Sequence, residues 1–289
     1  MGLDKLNYRF TIATDLKLCN ILLGLMTHSS LHPCCWCDID MHNLHKKGKQ
    51  RTFASLVELF FDFYNAKADR SKAKDYGNVI HTPIIEDDSV DMSTPVIYKV
   101  PPPELHLLSG PTLHLYDSLD KLWPRVIAWL QSINIKKTDF QGGAFEGNDC
   151  RKMLKKVDEL ESRCPEKFSG YVDAFRKFDK VVESCYGTKL ATDYKEKIKK
   201  FKSAYLALKI SVTPKVHAIF YHIEEFCDYS GTGLGPNSEQ TSESLHHEWK
   251  KTWKDYNVRD TSNSKYGENL LKAVRKFNSS IFCILYQRS

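Results

Sequence analysis

The chain has 289 residues, 42% of them hydrophobic and 12% aromatic, and carries a formal net charge of +6 with its histidines neutral. This excludes a disordered tail and predicts a globular protein of one large or two modest domains. The apolar runs fall short of the roughly 20 residues that span a bilayer, and the first residues lack a signal-peptide pattern. We therefore expect a soluble, intracellular protein without a membrane partner and with mostly reduced cysteines.

Residues 8–14, YRFTIAT, alternate apolar or aromatic residues with polar ones, and Asp15 follows directly. This alternation predicts a β-strand. A lone strand is not stable, and no partner strand precedes this one. Either its partners come from elsewhere in the chain, or the sequence is the C-terminal part of a longer protein, and we favour the second interpretation.

After this strand the hydrophobic pattern is mostly helical. Thr213 and Pro214 form a typical helix start, with a capping hydroxyl followed by proline at the first helical position. Pro101–Pro103 is the best candidate for an internal boundary. The other predicted helices cover residues 16–26, 55–68, 113–130 with a break at Pro124, 148–162, 167–186, 192–208, 238–255 and 266–285.

Two cysteines and two distant histidines form a candidate metal site. Cys34 and Cys37 lie on one tight turn, and His217 and His222 lie about 180 residues downstream in TPKVHAIFYH. Thiolates and imidazoles are zinc ligands, so the set predicts a structural zinc ion that connects distant segments of the chain. We call this link the zinc staple. A spacing of five does not stack two ligands on one helical face, but His217 falls in the first turn, where the backbone can deviate.

Two alternatives to this staple remain open. His42 and His45 form a nearer pair of ligands, although the spacing is too short for a zinc-finger helix. The cysteines can also be ordinary thiols, with His217 and His222 packing on a helix. Cys35 is predicted to be a bystander.

Three carboxylates are candidates for a site that holds divalent metal. Asp15 ends the predicted strand, and Glu239 and Glu243 lie four residues apart at the start of a predicted helix. Carboxylates hold Mg²⁺ or Mn²⁺ in enzymes that transfer phosphoryl groups with two metals. The alternative is that the glutamates only stabilise a helix N-terminus, and the residues alone favour that simpler interpretation.

Basic residues cluster near both candidate metal-binding regions. Such clusters can neutralise DNA phosphates, although solvated helix faces have the same composition. The residues that we predict to contact DNA are Lys46, Lys47, Arg51, Arg151, Lys152, Lys250 and Lys251.

The order and spacing of these motifs resemble the catalytic core of Transib-type transposases, a family related to the catalytic subunit of the RAG recombinase. The resemblance is carried by Asp15, the Cys34-x-x-Cys37 pair, His217-x4-His222 and the following SEQTSES segment. EGNDCRKML at residues 146–154 and LHLLSGPTLHLYDSL at residues 105–119 are weaker matches.

The resemblance implies a mixed α/β, mostly α fold, with a partial ribonuclease-H-like core, missing N-terminal strands and a large helical insertion. Asp15 would be the second aspartate of a D-D-E triad, and Glu243, or alternatively Glu239, the catalytic glutamate. The cysteines and histidines would hold structural Zn²⁺, and a complete catalytic site would add Mg²⁺ or Mn²⁺. The first aspartate has no counterpart, because only Asp4 precedes Asp15.

The expected protein is therefore transposase-like and catalytically incomplete: a fragment, a degenerate copy or a domesticated remnant that binds DNA in the nucleus, with a homodimer as a candidate assembly. The alternatives are a non-catalytic, zinc-stabilised helical module that binds DNA or protein, and an unrelated helical scaffold. The predicted segments are 1–38 with the strand and the cysteine pair, 39–103 as a loop-rich connection, 104–237 as a helical insertion and 238–289 as C-terminal helices with the glutamates.

Overall fold

The computed structural model describes residues 11–27, 29–85, 91–138, 143–238, 249–256 and 265–286. The chain divides into two compact units, Met1–Ser238 and Glu239–Ser289. Within the described ranges, the regular structure consists of helices, short 3-10 turns and three isolated β-bridges. None of the described helices is long and apolar enough to cross a membrane.

The α-helices of the first unit are connected by loops and 3-10 turns. In chain order they are α1 (Leu16–Leu22), α2 (Phe53–Asn65), α3 (Glu104–Leu122), α4 (Ile127–Ser132), α5 (Gly147–Lys155), α6 (Val157–Glu161), α7 (Ser169–Cys185), α8 (Tyr194–Ala207) and α9 (Pro214–Ser230). The 3-10 turns cover Arg70–Tyr76, Val96–Tyr98, Pro124–Val126, Glu166–Phe168 and Gly235–Asn237. The second unit contains α10 (Lys265–Tyr286), and residues 249–254 are also helical.

The predicted ribonuclease-H-like sheet is wrong. Residues 11–14, the described end of the predicted strand, have no strand structure, and residues 8–10 lie outside the described ranges. Ile12 donates one backbone hydrogen bond to the carbonyl of Lys99, at 2.8 Å, and no ladder of such bonds continues from it in the described chain. Alternating polarity describes a half-buried segment, but a strand also needs a partner backbone. For the described residues, the mixed α/β fold class is therefore replaced by a helical one.

The core of the first unit is organised around the antiparallel pair α7 and α8. Phe178 of α7 stacks on Phe201 of α8, with ring centroids 4.9 Å apart. Tyr205 of α8 meets Phe220 of α9 edge to face at 5.7 Å. Helix α9 packs against both α3 and α8. The aromatic cluster therefore fixes the position of α9, which carries His217 and His222.

Two predicted helix boundaries are confirmed by local chemistry. Helix α9 begins at Pro214, and the Thr213 hydroxyl accepts a hydrogen bond from the N–H of Val216 at 3.3 Å. This bond satisfies one of the N–H groups that a helix start leaves without a partner. Helix α3 ends at Leu122, directly before the 3-10 turn that opens with Pro124.

We expect Phe178→Ala to lower the free energy of unfolding by about 3–5 kcal/mol, because it opens a cavity in the aromatic cluster. Phe178 is fully buried, whereas Phe61 on α2 is 52% exposed and provides the matched control. Urea denaturation should show a change of less than about 0.5 kcal/mol for Phe61→Ala. Equal effects of the two substitutions would contradict the assignment of the core.

Candidate metal centre

Cys34, Cys37, His217 and His222 meet in the interior of the first unit. The Sγ atom of Cys34 lies 3.2 Å from Nε2 of His222, and Sγ of Cys37 lies 3.3 Å from Nε2 of His217. One ligand atom from each residue lies within 4.8 Å of the other three. All four side chains are at most 3% exposed. The predicted set therefore forms a buried group that can hold a metal ion.

The donor set fits zinc. A tetrahedral zinc site with ordinary Zn–S and Zn–N bond lengths places sulfur and nitrogen ligands about 3.5 Å apart, close to the two distances in this group. Two thiolates also neutralise the charge of a divalent ion. Sulfur and imidazole ligands in a tetrahedral arrangement favour zinc over the harder cations, which prefer oxygen.

The cysteine turn is held by two buried side chains beside it. Trp36 donates its indole N–H to the carbonyl of Val100 at 2.8 Å. Arg51 donates from Nε to the carbonyl of Cys37 and from Nη2 to that of Gly77, both at 2.9 Å. These bonds connect the turn to distant parts of the chain, so the thiols are positioned by the fold as well as by their own turn.

Gly48 allows a close approach of the loop to the cysteine turn. A Cβ atom at this position would lie 2.8 Å from Sγ of Cys37 and 2.9 Å from the backbone N of Ile39. Neither distance is compatible with an ordinary carbon contact. A larger residue at position 48 would therefore displace the thiol of Cys37.

His217 and His222 converge although they are five residues apart on α9. This spacing separates their Cα positions by about 140° around an ideal helix. The side chains close the gap, and the ring centroids lie 5.1 Å apart. Cys37 contacts the first histidine and Cys34 the second, so each thiol faces one imidazole.

The second nitrogen of each histidine has its own partner. Nδ1 of His217 donates to the carbonyl of Leu44 at 2.8 Å, and Nδ1 of His222 lies 2.7 Å from a carboxylate oxygen of Glu225. These bonds place a proton on Nδ1 and direct Nε2 at the sulfurs, so Nε2 is the atom that would ligate a metal. Sequence reasoning missed Glu225, although its position three residues after His222 on one helix was a usable signal.

The environment of the group favours the thiolate form at Cys37 and the thiol form at Cys34. The hydrogen bond from Cys34 holds the pKa of Cys37 well below its usual range, whereas burial raises the pKa of Cys34. Burial also tends to lower the pKa of His222, but hydrogen bonds to Cys37 and Glu225 outweigh it and raise that pKa to about 9. Lys47 pairs with Glu225 at 2.9 Å and extends this network to the surface.

The nearer pair of histidines does not join the group. His42 and His45 are exposed, and neither belongs to the cluster of metal-ligating atoms found in the described residues. Cys35 is buried beside the turn, but its Sγ lies 3.3 Å from the amide oxygen of Asn20. The long-range ligand set is therefore the one that the fold assembles.

The predicted carboxylate site is not assembled by the described residues. Asp15 accepts a hydrogen bond from the N–H of Leu18 at 2.7 Å and thereby caps α1. Glu239 and Glu243 lie outside the described ranges, so their pairing with Asp15 stays a prediction. Within the part of the chain that is described, the cysteine–histidine group alone brings three or more potential metal ligands together, and nothing in it supports Mg²⁺ or Mn²⁺.

The basic residues predicted to contact DNA have different environments. Arg51 is 2% exposed and braces backbone carbonyls, which favours a structural role. Arg151 pairs at 2.5 Å with the buried carboxylate of Glu104. The side chains that remain exposed are those of Lys46, Lys47, Lys152, Lys250 and Lys251. Contact of any of them with DNA stays a prediction.

No model of a known protein family matches the chain, and no curated protein matches it. The resemblance to Transib-type transposases therefore rests on the motifs alone and stays a prediction.

We expect the purified protein to bind one zinc ion per chain, measured by elemental analysis. Removing the ion with a chelator should lower the melting temperature by about 10 °C or more, because four buried ligands lose their shared partner. Cys37→Ser and His217→Asn should each abolish stoichiometric binding, whereas Cys164→Ser, at a thiol outside the group, should retain it. A metal-free protein with unchanged melting temperature would rule out the staple.

We expect Glu225→Ala to weaken zinc binding about 10- to 100-fold, because His222 loses the carboxylate that orients its ring. The matched control is Glu224→Ala on the same helix, where the carboxylate pairs with Lys195 at 3.5 Å. Competition with a chromogenic chelator measures both affinities. Equal affinities in the two variants would show that Glu225 does not orient the ligand.

Proposed function

We propose that the protein is a non-catalytic helical binding module whose fold is held together by a structural zinc ion. The observation that carries the proposal is the buried set of two thiols and two imidazoles within 4.8 Å of one another. Four protein ligands complete the tetrahedral shell of zinc and leave no position for water or substrate. Catalytic zinc sites keep such a position open, so this donor set supports a structural role.

The zinc ion would connect the loop that contains Cys34 and Cys37 to helix α9. A link between residues about 180 positions apart restricts the unfolded chain strongly. If the link is treated as a covalent cross-link, the loss of unfolded-state entropy stabilises the fold by about 5 kcal/mol. This is comparable to the whole net stability of many domains. The ion would therefore decide whether the loop and the helix stay together.

We propose duplex DNA as the partner of this module. The support is the net charge of +6 and two exposed lysines, Lys46 and Lys49, in the loop that follows the cysteine turn. Neither ammonium forms an ion pair with a described residue, whereas Lys47 between them pairs with Glu225. The zinc ion would hold this loop in place, so binding would cost little additional ordering.

A stripe of lysines on α8 is a weaker candidate for contact with DNA. It consists of Lys195, Lys197, Lys199, Lys200 and Lys202. Lys195 pairs with Asp228 at 2.5 Å, Lys197 with Asp193 at 2.9 Å and Lys200 with Glu196 at 2.7 Å. Acidic partners offset the positive charge, and a phosphate would have to displace them. The loop lysines are therefore the ones that we assign to DNA.

We expect the double substitution Lys46→Ala and Lys49→Ala to weaken DNA binding and to reduce the slope of log K against log salt by roughly two. Each lost phosphate contact removes about 0.9 from that slope. Fluorescence anisotropy with a labelled duplex at several salt concentrations measures it. The control is Lys197→Ala with Lys200→Ala, which removes the same charge from the acid-paired stripe and should change the slope less.

Equal slopes for the two double variants would mean that net charge alone attracts DNA. Absence of binding at low salt, with zinc bound, would show that DNA is not the partner and would favour a protein partner. Mn²⁺-dependent nicking of DNA that disappears in Asp15→Ala would contradict the non-catalytic part of the proposal.

A further inference from the structure

A cavity of about 660 Å³ lies between the N-terminal ends of α1 and α9 and the middle of α3. We call it the α9 cavity. Its volume is that of a typical small-molecule site. Leu16, Leu113 and Pro214 contribute apolar wall, Lys215 contributes a partly buried ammonium group, and the exposed Lys17 lies at the rim. It does not include the four zinc ligands.

Lys215 reaches the cavity because α3 has no side chain at Gly110. A Cβ atom at position 110 would lie 2.2 Å from Cδ of Lys215 and 3.2 Å from its Nζ. The lysine stem therefore crosses α3 where glycine leaves room for it. Lys215 is partly buried by this contact.

The positive charge of Lys215 has no counter-charge in the described part of the chain. No ion pair or hydrogen bond joins its Nζ to a described residue. Burial lowers the pKa of Lys215, and no acidic group counters that effect. A bound anion would offset the cost of burying the ammonium.

The acids in the wall of the α9 cavity already have partners. Asp15 caps α1 by accepting from the N–H of Leu18, and Asp117 pairs with Lys137. His114 is also engaged, because its Nδ1 lies 2.9 Å from the hydroxyl of Tyr205. The hydrogen bond to Asp15 does not cancel its charge, but Lys215 is the partly buried charge of this wall that lacks both a hydrogen bond and an ion pair among the described residues.

We propose that the α9 cavity binds a small organic carboxylate with an apolar body. The partly buried ammonium of Lys215 matches a single negative charge, and the N-terminus of α9 adds a favourable potential for an anion. A phosphate monoester carries about 1.5 to 2 negative charges and matches the one partly buried ammonium less well. The apolar wall would cover the uncharged part of the ligand. This site goes beyond the proposed binding module and does not depend on its DNA partner.

The test uses the full chain as purified and three probes: phenylacetate, its neutral analogue phenylacetamide, and inorganic phosphate. Ligand-observed NMR titration should detect binding of phenylacetate. The amide should bind at least about tenfold more weakly, because a charged hydrogen bond is lost. Lys215→Met should weaken phenylacetate about tenfold. The control Lys152→Met, at an exposed lysine on α5, should leave the affinity unchanged.

Gly110→Ala provides a second variant that keeps Lys215. Alanine is a better helix former than glycine, so α3 should persist, but the added carbon displaces the lysine stem. We expect phenylacetate binding to weaken about tenfold while zinc content stays unchanged. If Lys215→Met fails to fold, this variant decides the question. Equal binding of the acid and the amide, equal binding of phosphate, or unchanged affinity in the variants that fold would each overturn the proposal.

Discussion

The structure depends on the burial of four metal ligands at one point. Two thiols and two imidazoles are polar groups that are costly to place in a protein interior without partners. Here each thiol contacts one imidazole, and a zinc ion would bind all four side chains at once. The surrounding contacts are consistent with that requirement. Trp36 and Arg51 hold the cysteine turn by hydrogen bonds to the carbonyls of Val100 and Cys37. Gly48 leaves room for the thiol of Cys37.

Helix α9 combines several roles because of where it packs. The aromatic cluster of α7 and α8 fixes one side of it, and the cysteine turn covers His217 and His222. Glu225, one turn further along, connects the ligand His222 to Lys47 on the loop. At the other end, the first turn faces the α9 cavity. Loss of the metal ion would therefore affect the packing of α9 at both of its ends.

Much of the helical architecture could be predicted, because a period near 3.6 in apolar residues and the chemistry of helix ends are local. The Thr213 cap, the Pro214 start and the break at Pro124 belong to this class. The strand before Asp15 could not be judged in the same way. Its alternating pattern is also local, but a strand exists only through pairing with another backbone, and the described chain shows one hydrogen bond from Ile12.

The sequence by itself determined which residues have metal-ligand chemistry, since cysteine and histidine side chains carry that property wherever they lie. The tertiary structure decided that Cys34 meets His222, that Cys37 meets His217 and that Glu225 orients one ring. It also decided which positive charges are offset by acids. The reason is that these contacts depend on how segments about 180 residues apart pack together. Local sequence patterns do not specify which distant segments come into contact.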